Sequence, residues 1–181
     1  MSVYTLHTLF DQLAQARNSR LQVPSKRRRD TYEEIWGVVN RWLYERLEEG
    51  RGATLSNFAS WSWEEYSIFQ GSRNGYTRKR RPFFQLHDAF NRTFGLSLNR
   101  GRKPPQLAKC EEMNPIKIAI KYSANLTKDM VFSGLRDILG EIGNAIGSGF
   151  HVAIYFSFGV LYAQRKNTRF EVDAELLLKL G

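Results

Sequence analysis

The stretch that decides the fold is Val152-Ala-Ile-Tyr-Phe-Ser-Phe-Gly-Val-Leu161. Val152, Ile154, Phe156 and Phe158 occupy every second position, the period of a strand with one face buried. Gly159 turns the chain, 160–164 returns, Arg165-Lys-Asn-Thr168 makes a short hairpin connection and 169–172 is a third strand. Residues 174–180 read as a terminal helix or tail.

Upstream of this meander, Thr127 caps a helix whose apolar face is Val131, Leu135, Ile138, Ile142 and Ala145 or Ile146, stopped by Gly147-Ser-Gly149. Before it, Asn114-Pro115 opens a shorter helix carrying Ile116, Ile120 and Tyr122. The order is helix, helix, three strands, helix. It also occurs earlier in the chain, offset by about 100 residues, as in two small tandem domains.

In the earlier copy, Leu6, Leu9, Phe10 and Leu13 mark a first helix, and 18–29, polar and basic around Pro24, reads as a connector. Thr31-Tyr-Glu-Glu34 has the form of a capping box. Ile35, Val39, Leu43 and Leu47 follow on one face with Tyr32 and Trp36, and Gly50 and Gly52 close the helix. Residues 54–66 read as two strands around a turn near 57–60. The segment 67–80, with Gly71, Asn74, Gly75 and four basic residues, reads as a loop or β-arm. Residues 81–86 are a third strand, kept to an edge by Pro82. A short helix over 87–94 carries Ala89, Phe90 and Phe94 and stops at Gly95, and 98–109, with Pro104-Pro105, is a linker.

Charge separates the copies. Residues 1–110 hold 19 Lys and Arg against 10 Asp and Glu, so they carry the whole net +9; residues 111–181 hold 8 of each and are neutral. Much of the excess lies in Lys26-Arg27-Arg28-Arg29, Arg78-Lys79-Arg80-Arg81 and Arg100-Gly101-Arg102-Lys103. Such runs are either solvated loops or the contact face for an anionic partner, nucleic acid or acidic protein.

The element order, with the turn Phe156-Ser-Phe158-Gly159-Val-Leu161, resembles HU/IHF proteins. Asn57-Phe-Ala-Ser-Trp61 stands at the equivalent place of the first copy, without the glycines. Arg81-Pro-Phe-Phe-Gln-Leu86, Phe90, Gly95-Leu96 and Asn114-Pro115-Ile116 resemble a eukaryotic tandem HU-domain family of centrosomal and ciliary coiled-coil-domain-containing proteins. The resemblance spans roughly residues 30–180, although no coiled coil is present within these 181 residues. It implies an α+β fold of two tandem HU/IHF-like domains. Each has two helices, a three-stranded antiparallel sheet with an arm, and a short C-terminal helix. The expected bounds are 1–97 (basic, long arm about 67–80), a linker at 98–112, and 113–181 (neutral, short arm).

The same resemblance implies a non-enzymatic structural role in the microtubule cytoskeleton, at a ciliary axoneme, basal body or centrosome. Tubulin or other axonemal or centrosomal proteins are the implied partners. The candidate partner-binding residues are Arg73, Asn74, Tyr76, Arg78, Lys79, Arg80 and Arg81 on the arm, and Lys26, Arg27, Arg28 and Arg29. The alternative is an HU-like architectural DNA-binding protein. HU arms end in Arg-Asn-Pro, whose proline wedges into a base step; here Arg73-Asn74-Gly75 lacks the wedge, and the second arm is too short to embrace a duplex. The two copies are also candidates to pair with each other, as HU protomers do.

Other classes find little support. Cys110 is the single cysteine and His7, His87 and His151 are scattered, so neither disulfides nor a zinc cluster are expected. The longest apolar run, 152–163, is too short to cross a bilayer, and the N-terminus shows no signal pattern; a soluble, cytoplasmic protein without cofactor or metal is the expectation. Glu48-Glu49, Glu64-Glu65 and Glu111-Glu112 are adjacent and diverge in a regular element, whereas an acid/base pair must converge. Gly147-Ser-Gly149 follows a helix, the reverse of a phosphate loop. Trp36 and Trp61 are expected in the core, Trp42, Trp63 and His151 at the surface, and Tyr76 exposed in the arm.

Overall fold

A computed structural model describes residues 2–97 and 107–180. In chain order the elements are β1 (Tyr4–Thr5), α1 (Leu6–Gln15), α2 (Ser25–Glu48), β2 (Gly52–Leu55), β3 (Ala59–Phe69), β4 (Tyr76–Leu86) and α3 (Asp88–Phe94). The second copy follows as β5 (Cys110–Glu112), α4 (Pro115–Tyr122), α5 (Lys128–Gly147), β6 (Val152–Phe156), β7 (Gly159–Gln164), β8 (Asn167–Val172) and α6 (Ala174–Leu180). The fold is α+β, with the expected helix, helix, three strands, helix in each copy.

The repeat is visible in local chemistry. Gly50 (φ 76°) and Gly149 (φ 87°) take the left-handed conformation that closes α2 and α5. At each end the next residue donates five positions back, Arg51 N to Arg46 O at 3.0 Å and Phe150 N to Ala145 O at 3.3 Å, the Schellman pattern. The hairpin turns also match: Phe58 and Phe158 are both fully buried. Their carbonyls accept from His87 N and Asp173 N, each at 2.8 Å, pinning the strand-to-helix junctions.

The sheets depart from expectation. Each has four strands, in the orders β4-β3-β2-β5 and β1-β6-β7-β8. The fourth is parallel and comes from the other copy: β5 lies along β2 (Gly52↔Cys110 to Thr54↔Glu112), and β1 along β6 (Tyr4↔Val152, Thr5↔Ala153). The last three residues of the expected linker are thus a strand of the first copy's sheet.

One apolar core runs through both copies. Trp36 and Trp61 meet Phe156 at centroid distances of 4.8 and 5.4 Å, and Phe84 meets Phe170 at 5.2 Å. Gly134 of α5 lets α2 approach, since a Cβ there would stand 2.3 Å from the Ile35 Cδ1. Buried Asn40 closes a polar seam: its Oδ1 accepts from Ser157 N and its Nδ2 donates to Trp36 O, both at 2.9 Å. The two copies therefore share one core and complete each other's sheets.

Five expectations change. Helix α2 begins at Ser25, after Pro24 with φ −53°, so Lys26, Arg27, Arg28 and Arg29 are helical and not part of a connector. Thr31 is consequently interior to α2, and its Oγ1 donates to Arg27 O at 2.8 Å instead of capping. Trp42 and Trp63 are buried, because α2 is covered on more than one side and the Trp63 indole N–H donates to Leu47 O at 3.0 Å. Ile116 and Ile120 are exposed, because α4 packs through Ile118 and Ala119. His151 is half-buried. The run at 100–103 lies outside the described residues.

Candidate contact arm

Strands β3 and β4 pair continuously from Ala59↔Leu86 to Phe69↔Tyr76. Eleven residues each give a ribbon about 36 Å long at about 3.3 Å per residue. Gly71 (φ 100°) and Gly75 (φ 61°) turn its tip, where Gln70 N donates to Gly75 O at 2.8 Å. The corresponding β7–β8 hairpin has only six-residue strands. It closes at Arg165-Lys166, both at positive φ (52° and 65°), a two-residue type I′ turn. Among the described residues only the first copy carries a long arm.

The register sorts the arm cations. Arg81 faces Glu64 and donates twice to it, Nε at 2.6 Å and Nη2 at 3.0 Å, with its guanidinium 4.6 Å from the Tyr66 ring centre. Arg80 lies 3.5 Å from its cross-strand partner Glu65. These two arginines, read as contact residues, are engaged within the arm. Arg78 faces Ser67, Lys79 faces Tyr66, and Arg73 is at the tip; among the described residues none of the three has a carboxylate partner. Asn74 and Tyr76 are exposed, Tyr76 by 72%.

An apolar component went unread in the sequence. Phe69, 60% exposed, packs on Tyr76 at 5.3 Å, with exposed Ile68 beside it. The arm end therefore combines an aromatic pair with free cations. Phe69 carries no signal of its own, since its placement opposite Tyr76 follows from a register that sequence alone does not fix.

The basic start of α2 is a separate feature. Arg28 Nη1 donates to Ala16 O at 3.0 Å, satisfying the end of α1. Arg29 pairs with Asp11, with Glu33 at 3.2 Å and with His7 Nδ1 at 3.1 Å. Lys26 and Arg27 are exposed without a carboxylate partner among the described residues. Arg80 lies beside Gly50, past the opposite end of α2. The 24 residues of α2 hold the two basic groups about 36 Å apart at 1.5 Å per residue.

Glu48, Glu49 and Glu111 are engaged in ion pairs. Glu48 pairs with Lys179 at 3.1 Å, Glu49 with Arg46 at 3.3 Å, and Glu111 with Arg46 and Arg51 at 3.6 and 3.7 Å. An open hollow lined by Gly50, Arg51, Lys109, Cys110 and Glu111 holds no converging acid and base. Among the described residues no group of His, Cys, Asp and Glu could hold a metal ion, and no helix is long and apolar enough to cross a membrane.

Residues 10–98 match the family described as CCDC81 eukaryotic HU domain 1, and residues 109–180 match CCDC81 eukaryotic HU domain 2. No curated protein matches the chain.

Proposed function

The chain belongs to the family of CCDC81 eukaryotic HU domains, carrying domains 1 and 2 in tandem, and from that premise we propose that it is a non-enzymatic structural protein of the microtubule cytoskeleton. In this reading it serves at a ciliary axoneme, basal body or centrosome, and its long arm grips an acidic protein surface such as that of tubulin. The observation that carries the proposal is the one-sided arm: beside Phe69 and Tyr76, Arg73, Arg78 and Lys79 have no carboxylate partner among the described residues, while the second copy's hairpin ends in a tight turn. Free guanidinium and ammonium groups suit carboxylates, and the aromatic pair supplies contact area. Lys26 and Arg27, at the far end of α2, form a second and weaker contact.

The competing reading is HU-like DNA binding. A pseudo-dimer that clamps a duplex needs two arms, and a wedge needs a side chain where this tip has Gly75. Co-sedimentation of the full chain with microtubules and with duplex DNA, at physiological salt, separates the readings. Pelleting with microtubules that falls several-fold on Arg73→Ala/Arg78→Ala/Lys79→Ala supports the proposal. Binding to DNA alone, with a steep salt slope, sinks it. A tagged copy at axonemes or basal bodies in a ciliated cell is the matching cellular observation, and a nuclear or nucleoid signal the contrary one.

A further inference from the structure

The repeat supplies an internal control for every surface position. Helices α1 and α4 superimpose in burial pattern when Leu9 and Phe10 are set against Ile118 and Ala119. Helices α2 and α5 do so when Tyr32, Val39, Leu43 and Leu47 are set against Val131, Ile138, Ile142 and Ile146, the register that also aligns Gly50 with Gly149. In the first copy, the outer face where α1 meets α2 is a closed polar cluster. Arg29 bridges His7, Asp11 and Glu33 across the two helices.

The same four positions in the second copy are Ile116, Ile120, Lys128 and Phe132. The three apolar side chains are 47%, 79% and 56% exposed. The fold does not require apolar groups here, because the first copy builds the same helix pair with charged ones. Three large exposed hydrophobics on one face of a domain mark an interaction site.

We infer that the outer face of α4 and α5 is a docking site for an acidic amphipathic helix of a partner protein. The rim selects the partner's charge. Lys128, Phe132 and Arg136 follow at four-residue spacing along α5, and Lys117 stands next to Ile116 on α4; all three cations are exposed and lack a carboxylate partner among the described residues. Asp129 is the nearby exposed carboxylate, one residue round the helix from Lys128. Two packed helices with an apolar strip between basic borders suit a third helix with apolar anchors at i, i+3, i+4 and i+7 and Glu or Asp flanking them. A second copy of this chain does not suit, since a two-fold contact would bring Lys128 and Arg136 against basic borders. A lipid surface is the poorer match, because the apolar groups are divided between two helices and do not form one continuous helix face. This surface is distinct from the arm.

The test uses the full chain and a labelled helical peptide with Leu at the anchor positions and Glu elsewhere. A Lys-for-Glu version and a scrambled version serve as controls. The acidic peptide is expected to bind at least about tenfold more tightly than either control, with affinity falling as salt rises. Ile116→His/Ile120→Asp/Phe132→Glu writes the first copy's residues into the second; it should keep the parental melting temperature and lose at least about tenfold in affinity. Phe132→Glu alone should move affinity the same way, which decides the matter should the triple variant misfold. Arg73→Ala/Arg78→Ala/Lys79→Ala should bind the peptide as the parent does. Equal binding of acidic and scrambled peptides, or undiminished binding by a folded triple variant, overturns the inference. So does sedimentation equilibrium showing a dimer that the triple variant abolishes, or preferential binding to phosphatidylserine vesicles.

Discussion

Gly143 of α5 faces the ring of Phe94 so closely that a Cβ on it would lie 2.3 Å from Phe94 Cδ2. Helix α3 of the first copy rests on the second copy through this contact, and Phe94 is braced behind by Phe90 at 4.8 Å. Gly143→Ala gains about 1 kcal/mol in helix propensity, but overpacking costs about 1–3 kcal/mol. Net destabilisation is expected. Gly140, on the same helix with nothing within 4 Å of an added Cβ, is the control; Gly140→Ala should stabilise by about 0.5–1 kcal/mol. Urea unfolding of both variants checks the pair, and equal effects would refute the packing account.

Asn40 joins α2 to the turn of the second copy through Ser157 N at 2.9 Å, and its buried amide has a second bond to Trp36 O. The corresponding α5 residue is Leu139. Asn40→Leu removes the acceptor while Ser157 N remains, so a cost of about 1–3 kcal/mol is expected. Denaturant melts measure the loss. Amide exchange at Ser157 should rise in step; an unchanged Ser157 would mean that the bond contributes nothing.

Tyr32 is fully buried; its hydroxyl donates to Asp137 Oδ2 at 2.8 Å and lies 2.7 Å from Ser19 Oγ. Burial, more than these bonds, pushes the phenol up to about 12. The unfolded chain releases this proton near the ordinary phenol value of 10.0, so it binds fewer protons than the native state in between. The stability held by the neutral phenol is full below pH 10 and is lost as pH rises from about 10 to about 12, roughly 3 kcal/mol over that window. Tyr4, buried and bonded to Glu141 at 2.8 Å, is shifted in the same direction. Tyr32→Phe should flatten the alkaline loss relative to the parent, read as melting temperature against pH. Parallel curves would exclude Tyr32 as a contributor.

How far the sequence carried follows from where its signals are local. The α5 face and the β6 alternation each carry an uninterrupted apolar period over several repeats, so periodicity located them. Strands β1 and β5, two and three residues long, have no period to read, and the exchange of strands between copies was invisible for that reason. Trp42 lies off the apolar stripe and is still buried, because α2 is enclosed on several sides. The start of α2 was missed because four successive residues, Lys26 to Arg29, oppose the helix dipole; Arg29 with Asp11 and Glu33, and Arg28 with Ala16 O, offset that cost across the fold. On the arm, the sequence named the cations but not which were engaged. Glu64 and Glu65 take Arg81 and Arg80 only in the observed register.

Strand exchange makes a thermodynamic prediction that two tandem domains would not. Gly52 N donates to Lys109 O at 3.0 Å and Met113 N to Thr54 O at 2.9 Å, while Tyr4 N donates to His151 O at 2.8 Å. Neither sheet is complete, nor the shared core closed, with one copy unfolded. The full chain should therefore melt in one calorimetric transition whose van't Hoff and calorimetric enthalpies agree, at about 125 kcal/mol near 60 °C by the usual per-residue scaling. Removing residues 2–5, which hold β1 of the first copy, should lower that single melting temperature and speed amide exchange at Val152 and Ala153 in the second. Two resolved transitions, or a calorimetric enthalpy about twice the van't Hoff value, would show that the copies unfold independently.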